Sequence, residues 1–409
     1  MTDVNQPTGG PAAVAGAWID EQSLRLSLGM LRAVRFGGLS VVLPNGQSMH
    51  IAGQEPGPRG TINIRRARVA RRFVANGAVG FAESYLDGDW DTPDLPVLLH
   101  FFALNEPALA PAWRGRAWYR AFRRFTHGLR SNTRRGSRRN IADHYDLGNE
   151  FYRRWLDPSM TYSSAVYASP NQSLEEAQRN KYGRIADMLA LQPGQSLLEI
   201  GCGWGGFARF AAAERGSHVT AITLSREQYD FARRQVHEQG LGERVDVRLI
   251  DYRDVTGSFD RVASIEMLEA VGEQYWPVYF SKIRENLVSG GLAAVQVITI
   301  GDHWFDDYRR DADFIQRYVF PGGMLPSETA LRRATEEAGL GWRELSRFGG
   351  HYANTLAEWQ QRFQSAWGDV AKLGFDMRFK RLWEYYLAYC EAGFRVGYID
   401  LVQVGLARI

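Results

Sequence analysis

From Leu191 onward the chain alternates short apolar runs with stretches whose apolar residues recur every three to four positions. Five runs, SLLEI (196–200), HVTAIT (218–223), RVDVRLI (244–250), FDRVASI (259–265) and LAAVQVITI (292–300), have the length and branched-residue content of buried strands. Each is followed by a helix or a loop, and that alternation predicts a parallel sheet covered on both faces, a doubly wound α/β domain. Phe348 to Cys390 adds helices crowded with aromatic residues, and YIDLVQVGLA (398–407) alternates like a closing strand.

The front of the chain reads differently. Apolar residues between Val41 and Ile51 flank Pro44-Asn45-Gly46, and Asn-Gly between apolar runs predicts a hairpin. A small α+β unit continues through Ile62 to Leu86, and YLDGDWD (85–91) reads as a turn before a helical stretch reaching Leu104. Between Trp113 and Asn140 stand ten arginines and no acidic residue, while Trp118, Phe122, Phe125 and Leu129 fall on one helical face. This predicts a basic amphipathic helix able to lie flat on an anionic membrane, aromatics among acyl chains and arginines at headgroup level. The expected division is a tail over 1–17, an N-terminal domain over 18–112, the basic helix and linker over 113–140, and the α/β domain over 141–409.

Composition sharpens the contrast. Of 409 residues, 45% are hydrophobic, enough for real cores and too much for a disordered chain. Residues 1–140 carry 19 arginines against 10 acidic residues, whereas the remainder carries 30 basic against 36 acidic. Arginine as the only basic residue of the front half favours phosphate, which a planar guanidinium grips through two oxygens. Phospholipid headgroups fit better than nucleic acid, since no nucleic-acid-binding motif accompanies the charge. No apolar stretch is long enough to span a bilayer, the N-terminus lacks a secretory pattern, and two cysteines make no disulfide framework, so the expected location is cytoplasmic and peripheral at the inner membrane surface.

Strand SLLEI runs directly into GCGWGGF (201–207) and then into a helix, placing glycines where such sheets bind ligands. A glycine-rich turn alone also fits nicotinamide or flavin dinucleotides. The spacing here is GxGxGG rather than GxGxxG, and no Asp or Glu closes the second strand at Thr223 to hold a ribose diol. Cys202 reads as a small turn residue, and no His, Cys and carboxylate spacing suggests a metal site.

LLEIGCGWGGFA, ITLSREQ and DYRDV (251–255) together resemble the S-adenosylmethionine site of the cyclopropane-fatty-acyl-phospholipid synthase family. HYDLGNEFYRRWLDPSMTYSSAVY (144–167), IEMLEAVG (265–272), YVFPGGMLP (318–326), FGGHYANTLAEWQQRF (348–363) and FRVGYIDLVQV (394–404) resemble the family in the same order. The resemblance implies a class I methyltransferase fold with a Rossmann-like seven-stranded sheet and helical lid insertions, behind a small lipid-binding α+β domain. It places Gly201, Gly203 and Gly205 under the methionine part of the cofactor, with Tyr162 and Ser163 covering it. Thr223, Leu224 and Gln228 would line the adenosine, with Tyr252 and Arg253 near the adenine.

The same resemblance implies methyl transfer to a carbon–carbon double bond, which leaves a carbocation that needs a dry, aromatic site and a proton acceptor. In ring-forming relatives that acceptor is a bicarbonate held by Cys, Glu, His and Tyr. Glu269 and Tyr352 match that cluster, while Ser164 stands for the cysteine, Ile298 for the histidine, and Ala270 for the histidine after the glutamate. Glu269, Tyr352 and Ser164 are thus the catalytic candidates, at a strand end, Glu266 to Glu269, that faces the cofactor. Loss of two histidines should weaken a bound anion, which favours a methylated unsaturated acyl chain over a cyclopropane. The alternatives are true ring closure and a lipid- and cofactor-binding protein without catalysis. The expected partner is an unsaturated phospholipid in the bilayer, with a homodimer admitted.

Overall fold

The computed structural model describes residue 24 and residues 28–114, 147–310 and 312–409. The expected tail (1–17) and nearly all of the basic helix and linker (113–140) lie outside the described residues. Contacts divide the chain into two compact units.

In the smaller unit the expected hairpin forms: β1 (Phe36–Val42) pairs antiparallel with β2 (Ser48–Ala52) around Gly46, whose φ of 83° only glycine adopts readily. β3 (Glu55–Ile64) then pairs in parallel with the other edge of β1. The crossover is tight, because a Cβ on Gly53 would stand 2.4 Å from the Arg35 carbonyl oxygen. Helix α1 (Arg68–Leu86), strand β4 (Trp90–Asp91) and helix α2 (Leu95–Arg114) complete the unit, with α2 running past the expected end at Leu104. The YLDGDWD turn buries Asp89 completely and pairs it with Arg66 at 3.2 Å and Arg68 at 2.7 Å.

The larger unit is built on seven strands in the order β10-β11-β9-β8-β5-β6-β7. β5 (Ser196–Ile200), β6 (His218–Thr223) and β8 (Phe259–Ile265) have the bounds their apolar runs predict, β7 (Val245–Leu249) is shorter by a residue at each end, and β9 (Leu287–Ile300) starts earlier. These five run parallel, whereas β11 (Ile399–Arg408) is antiparallel between β9 and β10 (Leu340–Arg347). β10 escapes the sequence pattern because it is an edge strand, half exposed and rich in polar residues. Helices α3 (Asn149–Arg153) and α4 (Leu174–Met188) precede the sheet, and α5 (Gly206–Arg215), α6 (Arg226–Glu238) and α7 (Trp276–Glu285) fall between its strands. The insertion between β9 and β10 carries α8 (Asp302–Tyr308), α9 (Phe314–Tyr318) and α10 (Glu328–Glu337), and α11 (Gly349–Ala371) and α12 (Met377–Arg395) follow β10. Ser173 caps α4 in a reciprocal capping box with Glu176, an arrangement worth about 1 kcal/mol.

By its contacts Asp376–Ala392, most of α12, groups with the smaller unit. There Arg381 donates to the Tyr85 carbonyl at 2.9 Å, Arg378 pairs with Asp87 at 3.3 Å, and the rings of Tyr85 and Tyr385 lie 5.7 Å apart. Aromatic periodicity marks a helix for burial without naming what buries it. Among the described residues no helix is long and apolar enough to cross a membrane.

Candidate functional site

The carboxyl ends of β5, β6 and β8 and the turn after β7 enclose a pocket lined by Gly201, Gly203, Thr223, Leu224, Gln228, Tyr252, Arg253, Tyr162 and Ser163. Nine of the ten residues expected at the cofactor therefore converge on one cavity. Gly205 does not line it; with φ 79° it starts α5, and a Cβ there would stand 3.0 Å from that of Ala232 on α6. Its absent side chain serves helix packing. Gly203, with φ 54°, has nothing within 4 Å of where a Cβ would project.

Each wall of the pocket is fixed by its own polar pairing. Thr223 donates its hydroxyl to Gln228 Oε1 at 2.8 Å, and Ser225 caps α6 by accepting from the Gln228 backbone N–H. Buried Asp251 accepts from Arg253 Nε at 2.8 Å and Nη2 at 2.6 Å, a bidentate pair that fixes the guanidinium beside Tyr252. Over the glycine turn, Trp204 donates its indole N–H to Asn149 at 2.6 Å. Tyr162 lies within 5.3 to 5.6 Å of the rings of Tyr152, Trp155 and Trp359, and Tyr352 stacks on Phe394 at 4.5 Å. Tyr162, Trp204 and Tyr252 line the pocket themselves, an aromatic wall suited to a passing cation.

The catalytic candidates meet at a residue the sequence reading left without a role. Glu266 accepts from the Tyr352 hydroxyl at 2.6 Å through one oxygen, and from the Ser164 backbone N–H at 2.8 Å and Gln296 Nε2 at 2.7 Å through the other. Ser164 thus joins the cluster through its backbone; its hydroxyl donates to the Ala165 carbonyl at 3.0 Å. Glu269 lies alongside, accepting the Ile298 backbone N–H at 2.6 Å with Oε1, while Oε2 is buried without a partner. Ile298, where a histidine is expected from the resemblance, contributes only that N–H.

Burial and charge separate the two carboxyls. Burial, and after it the neighbouring Glu266 charge, raises Glu269 to about 8, which favours its protonated form at neutral pH. Burial also raises Glu266, but the Tyr352 hydroxyl, the Lys181 charge and the other two donors oppose the rise. Lys181 itself is fully buried on α4, and burial lowers it to about 8 against the pull of Glu266, Asp157 and Glu199. Its ammonium donates to the Ser163 hydroxyl at 2.7 Å. Glu199, at the end of β5, is raised by burial to about 8, and its Oε2 is unpartnered although the residue lines the pocket. Lys181 was legible as a cation on the apolar face of its helix, in register with Ala177 and Ile185. Glu266 was legible only as a second acid three residues before Glu269.

The model of the mycolic acid cyclopropane synthetase family matches residues 132–404. The chain belongs to this family. It is 40% identical over 408 residues to the tuberculostearic acid methyltransferase UfaA1 of Mycobacterium tuberculosis, covering 98% of this chain and 93% of that relative. It is 34% identical over 352 residues to the cyclopropane-fatty-acyl-phospholipid synthase of Escherichia coli, covering 85% and 87%. The structure of the mycolic acid cyclopropane synthase CmaA1 complexed with SAH and CTAB superposes with a TM-score of 0.62 at 30% identity, over 68% of this chain and 99% of that one. As a cyclopropane synthase family member, the chain is an S-adenosylmethionine-dependent methyltransferase. The pocket fits that cofactor: the open space over Gly203 admits a ligand against bare backbone, and the unpartnered Glu199 oxygen can accept from an ammonium group.

Proposed function

We propose that this chain methylates the double bond of an unsaturated acyl chain in membrane phospholipid and releases a methylated alkene rather than a cyclopropane. Gly201 and Gly203 run under the methionine end of the cofactor, Glu199 receives its ammonium, and Thr223, Leu224 and Gln228 line the adenosine. Tyr252 and Arg253 stand near the adenine, and Tyr162 and Ser163 cover the donor. Bound there, S-adenosylmethionine supplies an electrophilic methyl group. The aromatic wall around Tyr162 excludes water from the cation left on the acyl chain and offers it ring faces.

The observation that carries this reading is the altered anion cluster. The Ser164 hydroxyl points to a carbonyl, Ile298 offers no imidazole, and the space between Tyr352 and Ser164 is bridged by a protein carboxylate. A base tethered there meets a different set of C–H bonds from those a diffusible anion can reach, and which C–H it meets decides the product. The name of the relative UfaA1, a tuberculostearic acid methyltransferase, supports a branch over a ring. The arginine-rich segment over 113–140 supports docking on anionic lipid at the inner membrane surface.

The test is incubation of purified protein with monounsaturated phospholipid vesicles and methyl-labelled cofactor, followed by mass spectrometry and NMR of the released fatty acids. A methyl or methylene group on an unsaturated chain is the expected product. Cyclopropane as the dominant product would overturn the proposal, and cofactor and vesicle binding with no transfer would favour the carrier reading.

A further inference from the structure

Glu266 holds a conformation that the chain adopts at a cost. Its φ is 50°, in the left-handed region that side chains rarely adopt and where such strain collects at functional sites. The residue follows β8 directly, and its backbone N–H is anchored on the Gln296 carbonyl at 2.8 Å. This turn brings the carboxylate into the pocket wall, where three donors from three separate segments converge on it. Gln296 is in turn held in place, accepting from Gln403 at 2.9 Å on the neighbouring strand. The arrangement is a built site for one carboxylate, and the chain supplies that carboxylate itself.

We infer that the carboxylate of Glu266, fixed by Tyr352, Ser164 and Gln296, is the proton acceptor of the reaction, so that turnover needs no dissolved anion. This rests on the alkene methylation proposed above. The π pair of the alkene forms the bond to the methyl group as the carbon–sulfur bond breaks and leaves its pair on sulfur. The second alkene carbon becomes positive. Glu266 then takes a proton from a neighbouring C–H, and the electrons of that bond become the new double bond. Glu266 becomes a neutral acid and surrenders its proton to solvent when product leaves. Glu269 does not line the pocket, and burial together with the Glu266 charge raises its proton affinity, which holds it toward the neutral form and away from this part.

The experiment compares wild type, Glu266→Gln and Glu266→Gly on vesicles of monounsaturated phosphatidylglycerol, in buffer freed of carbon dioxide and with added bicarbonate or formate. Binding of S-adenosylhomocysteine by calorimetry is the second readout. Glycine suits the left-handed backbone, so Glu266→Gly should fold and should open a carboxylate-sized space between the three donors. Wild-type turnover should be indifferent to bicarbonate. Glu266→Gln should lose at least roughly 100-fold in kcat, the range of a general base, with S-adenosylhomocysteine affinity kept. Formate or bicarbonate should restore Glu266→Gly in a saturable manner. Wild-type dependence on bicarbonate, near-normal turnover of Glu266→Gln, or loss of S-adenosylhomocysteine binding in both variants without anion rescue would each overturn the inference. Absence of any wild-type transfer to phospholipid would instead overturn the functional reading on which it rests.

Discussion

The hydroxyl of Tyr352 donates to Glu266 at 2.6 Å across 86 residues of chain, joining the first turn of α11 to the end of β8. A hydrogen bond to a charged acceptor is worth about 1.5–3 kcal/mol, so Tyr352→Phe should lower kcat roughly 10- to 100-fold. The donor also holds the Glu266 proton affinity down. Its removal raises that affinity, and the acidic limb of the kcat profile should move to higher pH while S-adenosylhomocysteine binding stays near wild type.

Gly203 and Gly205 should separate binding from stability. Both have positive φ, so alanine strains either by about 1–2 kcal/mol. At Gly203 the methyl projects into open pocket space, and Gly203→Ala should weaken cofactor binding in calorimetry. At Gly205 it meets Ala232, and Gly205→Ala should lower the unfolding temperature more than the affinity.

Glu269 makes stability depend on pH. Burial, with the Glu266 charge, raises its folded-state value from 4.5 to about 8, so between those values the folded state holds a proton that the unfolded state releases. Stability therefore falls as pH rises through this window and levels off above about 8. Glu269→Gln removes this contribution, and its denaturant midpoint should decline less than that of wild type from pH 5 to pH 8, values chosen to bracket roughly that window.

Lys181 stands among buried acids, and removing it leaves them uncompensated. Lys181→Met should lower stability, since it removes the buried cation whose charge opposes the rise in proton affinity of Glu266 and Glu199. The deficit should shrink on acidification, because protonated carboxyls need no cation. An equal deficit at all pH values would show that Lys181 acts through packing alone.

The three central strands with matching bounds, β5, β6 and β8, were legible because strands buried on both faces read as unbroken apolar runs. The glycine turn was legible for a related reason, standing where a strand runs straight into a helix at the binding edge of such a sheet, whereas Thr223, Gln228 and the Tyr252–Arg253 pair were singled out only by the family resemblance of their motifs. Strand β10 was not legible, since its polar, half-exposed residues resemble a loop. Nor was the home of α12, whose aromatic face suits burial against either unit.

The order of local elements and the residues at the strand ends thus followed from the chain itself, because strand and helix periods are local properties of sequence. Which acid occupies the pocket did not. Glu266 and Glu269 are neighbours of one chemical type, both raised by burial, and the rise at Glu266 is opposed by groups brought in by Ser164, Gln296, Tyr352 and Lys181. Proton affinity depends on burial and on charges within a few ångströms, and those distances exist only once the distant segments have packed.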